Sequence, residues 1–321
     1  MQPNHVFIGV DVSAATLCCA TYGSSAVRDL ENSVSAIKKW LAQLPANASI
    51  AVESTGRFHR RLVELTYAAG HQVFVLNAKD VYFFAKSMSG RGKTDRRDAG
   101  VIARFLAQHH DALHPWTPMP ERLQRLRELL RCRSGLANRR ASLQLMFQDV
   151  VDLQLEALAL DRQLEALICR IDERMAALIA EDAQMSERQA LLLSIAGIGV
   201  QGATMLSCLF SQIPFKTSDA VVAYSGLDPR PRESGTMVGR RRLSKRGPPG
   251  LRKLLFMCAM GACNSKVFKP MYQTLKAKGF KTTQALVILA RKLLRIAWSV
   301  WKTQVAFDAS RLGSACVLKK A

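Results

Sequence analysis

Two aspartates, Asp95 and Asp98, stand inside the stretch GRGKTDRRDA at residues 90–99, among the cationic side chains of Arg91, Lys93, Arg96 and Arg97. Spaced three apart, they fall on one face of a helix, and each raises the cost of ionising the other unless a positive charge lies between them. Two further acids interrupt apolar runs: Asp11 in FIGVDVS, after Phe7, Ile8 and Val10, and Glu53 in SIAVESTG, after Ile50, Ala51 and Val52. A carboxylate buried without a partner in such a run costs on the order of several kcal/mol. A cation removes that cost. Four carboxylates on successive elements suit a hard divalent ion, Mg²⁺ or Mn²⁺, and two such ions can clamp the attacking and leaving oxygens of a phosphodiester exchange. Taken singly, each acid is equally well a helix cap or a surface ion-pair partner, Asp95 above all, which follows Thr94 and has arginines on both sides. Together, in a chain this basic, they point to a metal site.

The charge balance names the partner class. Lys and Arg number 46 against 25 Asp and Glu, a formal net charge of +21 over 321 residues, so a polyanion is expected, nucleic acid first and an anionic membrane surface second. The membrane reading is weak, because apolar runs such as ALVILA at 285–290 are far too short to span a bilayer. The opening MQPNHVFIGVDVS lacks the basic start of a signal peptide and meets Asp11 where the hydrophobic stretch should continue, so a cytoplasmic, nucleoid-associated protein is expected. The eight cysteines are scattered with no CxxC pair, which predicts reduced thiols and no structural metal. The six histidines form no triad or ligand spacing.

These acids need elements to hold them. Up to about residue 115 short apolar runs alternate with helical periodicity. HVFIGVDV, LCCATYG, SIAVES and HQVFVLN read as strands, SVSAIKKWLAQL and RFHRRLVELTYAAG as helices, and a further helix begins near Thr94. Asp11 and Glu53 then lie at strand ends, which converge on the ligand-binding edge of an open α/β sheet. HPWTPMPE at 114–121, with three prolines, marks a domain boundary. Beyond it the stepping of Leu164, Leu167, Ile168, Ile171, Met175, Leu178 and Ile179 by threes and fours predicts long helices paired as a hairpin or coiled coil.

The C-terminal part carries the expected nucleic-acid contacts. Gly197 and Gly199, in LLLSIAGIGVQGATMLSCLF, form a turn like that of a helix-hairpin-helix, whose amides can hold a phosphate; a plain packing turn is the equal alternative. From Ser234 to Phe307 there are sixteen Lys or Arg residues and no Asp or Glu. A merely solvated surface mixes both signs. The densest part, GRRRLSKRGPPG at 239–250, reads as a Gly- and Pro-bounded loop for a phosphate backbone, with Arg240, Arg241, Arg242, Ser244, Lys245 and Arg246, followed by Arg252 and Lys253. GKT at 92–94 is not a P-loop end, since Ser87 stands where the first glycine is required.

With GVDVS, VESTG, KTDRRDA, IAGIG and YSGLDPRPRESGTMVGRRRLSKRGPPGLRKLLFMCA in this order, the chain resembles the DEDD transposases related to the pilin-gene invertases, the insertion-sequence recombinases guided by a bridge RNA. The resemblance spans nearly the whole length. It implies an α/β plus α architecture: a RuvC-like domain of RNase H fold over 1–115, a helical coiled-coil middle over 116–185, and a mostly helical transposase domain over 186–321. It implies that Asp11, Glu53, Asp95 and Asp98 are the DEDD acids. It aligns RESGT with the family's serine motif, so that Ser234 attacks DNA and forms a transient serine–DNA link, with Ser244 in RLSKRG as the competitor. The implied partners are donor and target DNA, a guide RNA and further copies of the chain, as a dimer or tetramer. Two other readings of the residues stay open: a junction-resolving nuclease that uses metal-activated water, and a basic nucleic-acid binder without catalysis.

Overall fold

A computed structural model describes residues 5–54, 56, 58–88, 95–230, 233–234, 237–238 and 242–312. The chain divides into two compact units, Met1–Pro118 and Met119–Ala321. The division falls inside the proline-rich stretch at 114–121.

In the first unit β1 (Val6–Val12), β2 (Thr16–Thr21) and β3 (Val27–Glu31) form an antiparallel meander, followed by α1 (Val34–Leu41), β4 (Ala48–Glu53), α2 (Arg60–Ala68), β5 (Gln72–Leu76), α3 (Ala78–Ser87) and α4 (Asp95–His109). The strand order is β3-β2-β1-β4-β5, with β4 parallel to β1 and β5 parallel to β4. Strand alternation sends successive residues to opposite faces. Ile8, Val10, Val12, Leu17, Ile50 and Val52 face one way and pack with Ile37 and Trp40 of α1 and Leu62 and Val63 of α2. The other face holds Ala51, Phe74 and Leu76 against Ile102 and Leu106 of α4. Both faces are covered, which is why β1 and β4 read as nearly continuous apolar runs. Ser33 caps α1 by accepting from the Ala36 amide, and Asn77 caps α3 by accepting from Lys79. Gly70, at φ 83, takes the left-handed conformation that ends α2.

The expected strands and helices of this unit are present. Two elements had no expectation: β3, a largely exposed edge strand, and α3.

The second unit begins with α5 (Glu121–Met146) and α6 (Gln154–Ala180), two long helices joined as an antiparallel hairpin. Three arginines of α5 fix the register: Arg122 to Asp182 just past α6 at 2.9 Å, Arg133 to Asp172 at 2.5 Å, and Arg140 to Asp161 at 2.7 Å. Arg133 and Arg140 each donate two parallel hydrogen bonds to one carboxylate, the strongest arginine geometry. The Arg140 guanidinium holds the Asp161 carboxyl below its ordinary range. Leu123, Leu126 and Leu130 of α5 share a core with Met175 and Ile179 of α6, Met185 of α7 (Ala183–Leu193) and Cys208 of α8 (Val200–Gln212).

The rest of the unit is α9 (Ser218–Ser225), a narrow β-ribbon, α10 (Pro249–Ala262), α11 (Lys269–Ala277) and α12 (Thr282–Thr303). α12 is the central post: Leu286, Leu289, Ala290, Leu293, Leu294 and Ala297 step along its buried side and pack on the helices around it. The ribbon consists of β6 (Pro229–Arg230), β7 (Glu233–Ser234), β8 (Met237–Val238) and β9 (Arg242–Leu243), with β6 paired to β9 and β7 to β8, both antiparallel. Among the described residues no helix is long and apolar enough to cross a membrane.

Candidate active site

β1 and β4 run parallel, and the pair Val10↔Val52 puts the next residues, Asp11 and Glu53, side by side at the same end of neighbouring strands. Strands lie about 4.8 Å apart, which sets the spacing of the two backbones. Alternation then fixes the face. Glu53 is two residues beyond Ala51, which packs on the α4 side, and Asp11 is two beyond Gly9, which touches the α4 backbone. Both acids are half-buried and both make polar interactions within the fold.

α4 supplies the other pair. Its sheet-facing residues include Ala99, Ile102, Ala103 and Leu106, all buried. Asp95 precedes Ala99 by four residues and Asp98 precedes Ile102 by four, so both lie in the first turn on the side that meets the sheet. The helix runs antiparallel to β1: Leu106 packs in the cluster that includes Phe7, and Ala99 and Ala103 lie over Gly9. Its acidic start is thereby carried to the end of β1 where Asp11 stands. Asp98 is half-buried and Asp95 exposed.

Antiparallel pairing extends the row outward, Asp11 opposite Cys18 on β2 and Cys18 opposite Asp29 on β3. The Cys18 thiol is pushed up to about 12, by burial first, then by its hydrogen bond to Asp29 and by the negative charges of Asp29, Asp11 and Asp95. One buried thiol thus feels two of the four acids, Asp11 and Asp95, together with Asp29. Asp29 also pairs with Arg96 at 3.7 Å, an exposed contact of little energetic weight that ties the α4 start to the edge strand. Neither Cys18 nor Asp29 stood out in the sequence; only the strand register reveals them.

The four acids share a face and an edge, but among the described residues no three His, Cys, Asp or Glu side chains lie close enough to hold a metal ion. The expected four-carboxylate cluster is therefore an aligned set and not a closed shell. Carboxylates facing one another repel, so closure requires a positive charge between them. The donor chemistry fits one. Oxygen ligands from two strand ends and a helix turn are the set that Mg²⁺ or Mn²⁺ takes, and Arg91 and Lys93, the cations ahead of Asp95, lie outside the described residues.

In the second unit the backbone of Ser234 lies in β7, paired with Met237; its side chain is outside the described residues, as are Arg240 and Arg241. Arg242 is exposed on β9. The stretch expected to be a phosphate-binding loop is partly strand, and its continuation is tied to the end of α9. The Ser244 hydroxyl donates to the Asp228 carboxylate, and the Ser244 amide donates to the Asp228 carbonyl at 3.0 Å. The Lys245 amide donates to the Gly226 carbonyl at 3.1 Å. Arg252 donates to the carbonyls of Ser225 and Gly247 and so serves the fold directly. Lys253 reaches Asn138 Oδ1 at 2.5 Å, while Arg246 is exposed and has a partner in the fold.

Gly197 has φ 92, and a Cβ there would lie 2.4 Å from that of Ala262, so close packing alone requires glycine. At Gly199, which precedes α8, a Cβ would meet nothing. A hydrogen bond from Gly199 favours the Cys258 thiolate, but burial dominates and pushes that thiol up to about 11.

A family model of the DEDD transposases of IS110 matches residues 8–154, and one described as the transposase IS116/IS110/IS902 family matches residues 189–273. The pilin gene-inverting protein of Moraxella bovis is 24% identical over 316 residues, covering 94% of this chain and 97% of that one. The transposase for insertion sequence element IS1328 of Yersinia enterocolitica is 26% identical over 345 residues, covering 96% and 100%. Among solved structures, T. thermophilus RuvC in complex with a Holliday junction substrate matches 35% of this chain and all of that one at 12% identity, with a TM-score of 0.28.

Proposed function

Since the chain belongs to the transposases of the IS110 and IS116 insertion elements, we propose that it cuts and rejoins DNA strands by two transesterifications through a serine–DNA intermediate. The observation that carries this reading is the register of β1 and β4, which sets Asp11 beside Glu53 at the sheet edge reached by the acidic start of α4. The five-stranded order with a three-strand meander and two parallel strands fits the RuvC-like, RNase H-type domain expected for 1–115. On this reading 116–185 is a coiled-coil spacer and 186–321 the transposase domain that carries the nucleophile.

Asp11, Glu53, Asp95 and Asp98 would hold a divalent cation, Mg²⁺ or Mn²⁺, which supplies Lewis-acid polarisation of a phosphate oxygen and lowers the pKa of a hydroxyl. Ser234 Oγ attacks the phosphorus and gives up its proton; an Oγ–P bond forms, a P–O bond to DNA breaks, and the departing DNA hydroxyl takes up a proton. In the second step a hydroxyl of the joining strand attacks the same phosphorus and restores Ser234. The phosphodiester energy is conserved, and no water enters. Ser244 is the weaker candidate, because the resemblance aligns RESGT and not RLSKRG with the family's serine motif; its own hydroxyl donates to Asp228. The exposed basic residues of the second unit would grip phosphate backbone, with a guide RNA supplying sequence choice through base pairing. The acting species would be a dimer or tetramer.

The test is incubation with donor DNA, target DNA, the noncoding RNA copied from the flanks of the gene, and Mg²⁺. A denaturing gel should show a protein–DNA adduct that Ser234→Ala abolishes and Asp11→Asn reduces by at least about a hundredfold. Hydrolysed ends with no adduct would instead mark a junction-resolving nuclease. Unchanged product with Ser234→Ala removes that serine from the mechanism.

A further inference from the structure

The ribbon that carries Ser234 is thin. Four described residue pairs hold its two sides together: Pro229↔Leu243, Arg230↔Arg242, Glu233↔Val238 and Ser234↔Met237. Ser234↔Met237 is the pair farthest from the base. A two-stranded ribbon of this kind is marginal by itself, so its direction must be set where it leaves the helical body.

That base is unusually well fastened. Asp228, half-buried, receives the Ser244 hydroxyl on Oδ1 and faces Arg230 Nε at 3.8 Å through Oδ2, while its carbonyl takes the Ser244 amide. One residue further on, the Lys245 amide bonds to Gly226, and both Lys245 (φ 52) and Gly226 (φ 68) are left-handed. The backbones are pressed together: a Cβ on Gly247 would lie 1.9 Å from the Tyr224 carbonyl oxygen, and one on Gly226 2.7 Å from the Gly247 nitrogen. For a non-glycine residue such as Lys245 the left-handed conformation is costly and persists only where the surroundings impose it. The strain and the closest packing sit together at the root of the ribbon, next to the Asp228–Ser244 pair that bridges its two sides.

We propose that Asp228 and Ser244 form a clasp that sets the register and aim of the ribbon, making them positioning residues for the Ser234 nucleophile. This inference rests on the reading of Ser234 given above. The clasp assigns Ser244 a duty other than attack on DNA or contact with phosphate. A hydroxyl donating to a charged acceptor makes a strong, directional bond, and its loss allows the far end of the ribbon to wander. Because reaction demands near-attack geometry, a displacement of about 1 Å at the nucleophile costs roughly a hundredfold in rate.

The test uses the full chain with DNA, guide RNA and Mg²⁺ and measures three quantities: the rate of adduct formation, the DNA affinity and the unfolding midpoint. Ser244→Ala and Asp228→Ala should each slow adduct formation by about tenfold to a hundredfold while DNA affinity changes less than about twofold. Ser244→Thr, which keeps the hydroxyl, should restore most of the rate. The double variant should be no slower than either single one, since both break the same contact. Additive losses, or a loss of DNA affinity equal to the loss of rate, would overturn the clasp, because Ser244 would then be acting on the nucleic acid. So would a wild-type rate for Ser244→Ala. Mass spectrometry of the trapped adduct separates the two levels. Nucleotide on the peptide containing residue 234 with wild-type rates in both clasp variants defeats the clasp alone, and nucleotide on residue 244 defeats the Ser234 reading with it.

Discussion

Gly9 decides how close α4 can come to β1, and the four acids depend on that distance. A Cβ at position 9 would lie 2.2 Å from the Ala103 nitrogen, 2.3 Å from the Ala99 carbonyl oxygen and 2.8 Å from the Ile102 carbonyl carbon, all of them helix backbone. No side-chain rotation relieves such contacts. To restore an ordinary separation of about 3.5 Å the helix must retreat by about 1.3 Å. Gly9→Ala should therefore cost about 1–3 kcal/mol, as overpacking does, and lower the unfolding midpoint of the first unit by roughly 5–15 °C. The activity loss should be larger than the stability loss explains. Asp95 and Asp98 ride on the displaced turn, so the rate of adduct formation should fall about a hundredfold even at temperatures where the variant is fully folded. Gly100→Ala is the control: it lies on the same helix, its Cβ meets nothing within 4 Å, and the gain in helix propensity of about 0.5–1 kcal/mol should stabilise the unit without loss of rate. The assay pairs thermal unfolding by circular dichroism with adduct formation at 20 °C or so, well below the midpoint. A Gly9→Ala variant that unfolds and reacts like wild type refutes the close approach. One that is destabilised yet reacts at the wild-type rate refutes the link between helix position and chemistry.

Two further outcomes follow from single residues. Gly197→Ala must accept φ 92 and a 2.4 Å contact with Ala262, so it should destabilise the second unit by about 2 kcal/mol or more while DNA affinity, measured on the folded protein, stays unchanged; retained stability with lost affinity would favour the phosphate-binding reading of that turn over the packing one. His5 sits against Ser49 at 2.8 Å and near His110, and burial first and His110 second lower its pKa below the usual 6.5. With the folded value depressed, the unfolded chain takes up the proton first, so stability is full above about pH 6.5 and declines as the pH falls through that value. Urea midpoints between pH 7.5 and 5 should drop, and drop less in His5→Gln; a midpoint that rises with acid would contradict the sign.

The elements legible in the sequence are those whose burial imposes a pattern. β1 and β4, covered on both faces, read as apolar runs, and a carboxylate interrupting such a run is conspicuous, which is how Asp11 and Glu53 came to notice. β3 leaves no such trace, since VRDLE lies largely exposed at the sheet edge with one charged residue after another. Asp29 was hidden with it, because its place beside Cys18 and Asp11 exists only once three strands are in register. The ribbon escaped for a different reason: RPRESGTMVGRRRL is rich in Gly and Arg and has no apolar alternation to mark a strand. Gly9 was unreadable in principle, as the helix that crosses it begins 86 positions later. α5 and α6 were visible from their periodicity, but the arginine–aspartate pairs that set their alignment join residues 21 to 60 positions apart.

The same non-local pairing changes what the basic run means. Between Ser234 and Phe307 the sequence offers sixteen cations and no acid, yet acids outside that window reach into it. Asp219 takes Arg295 at 2.5 Å, and two carbonyls of the α9 end and the loop before α10 take Arg252. Desolvation and the neighbouring Arg295 hold Arg291 below the usual arginine range, so that charge too belongs to the packed body. Lys266, Lys269, Lys276, Lys278 and Lys281 are different: they lie exposed around α11, within a stretch that has no acid of its own. Lysine is a mobile point charge without the planar fork of arginine, suited to following a phosphate backbone and poorly suited to reading a base. The arginines of this unit thus build much of the scaffold and the exposed lysines supply much of the field. If, as proposed above, a paired RNA supplies sequence choice, that division is most of what the protein's own surface must provide.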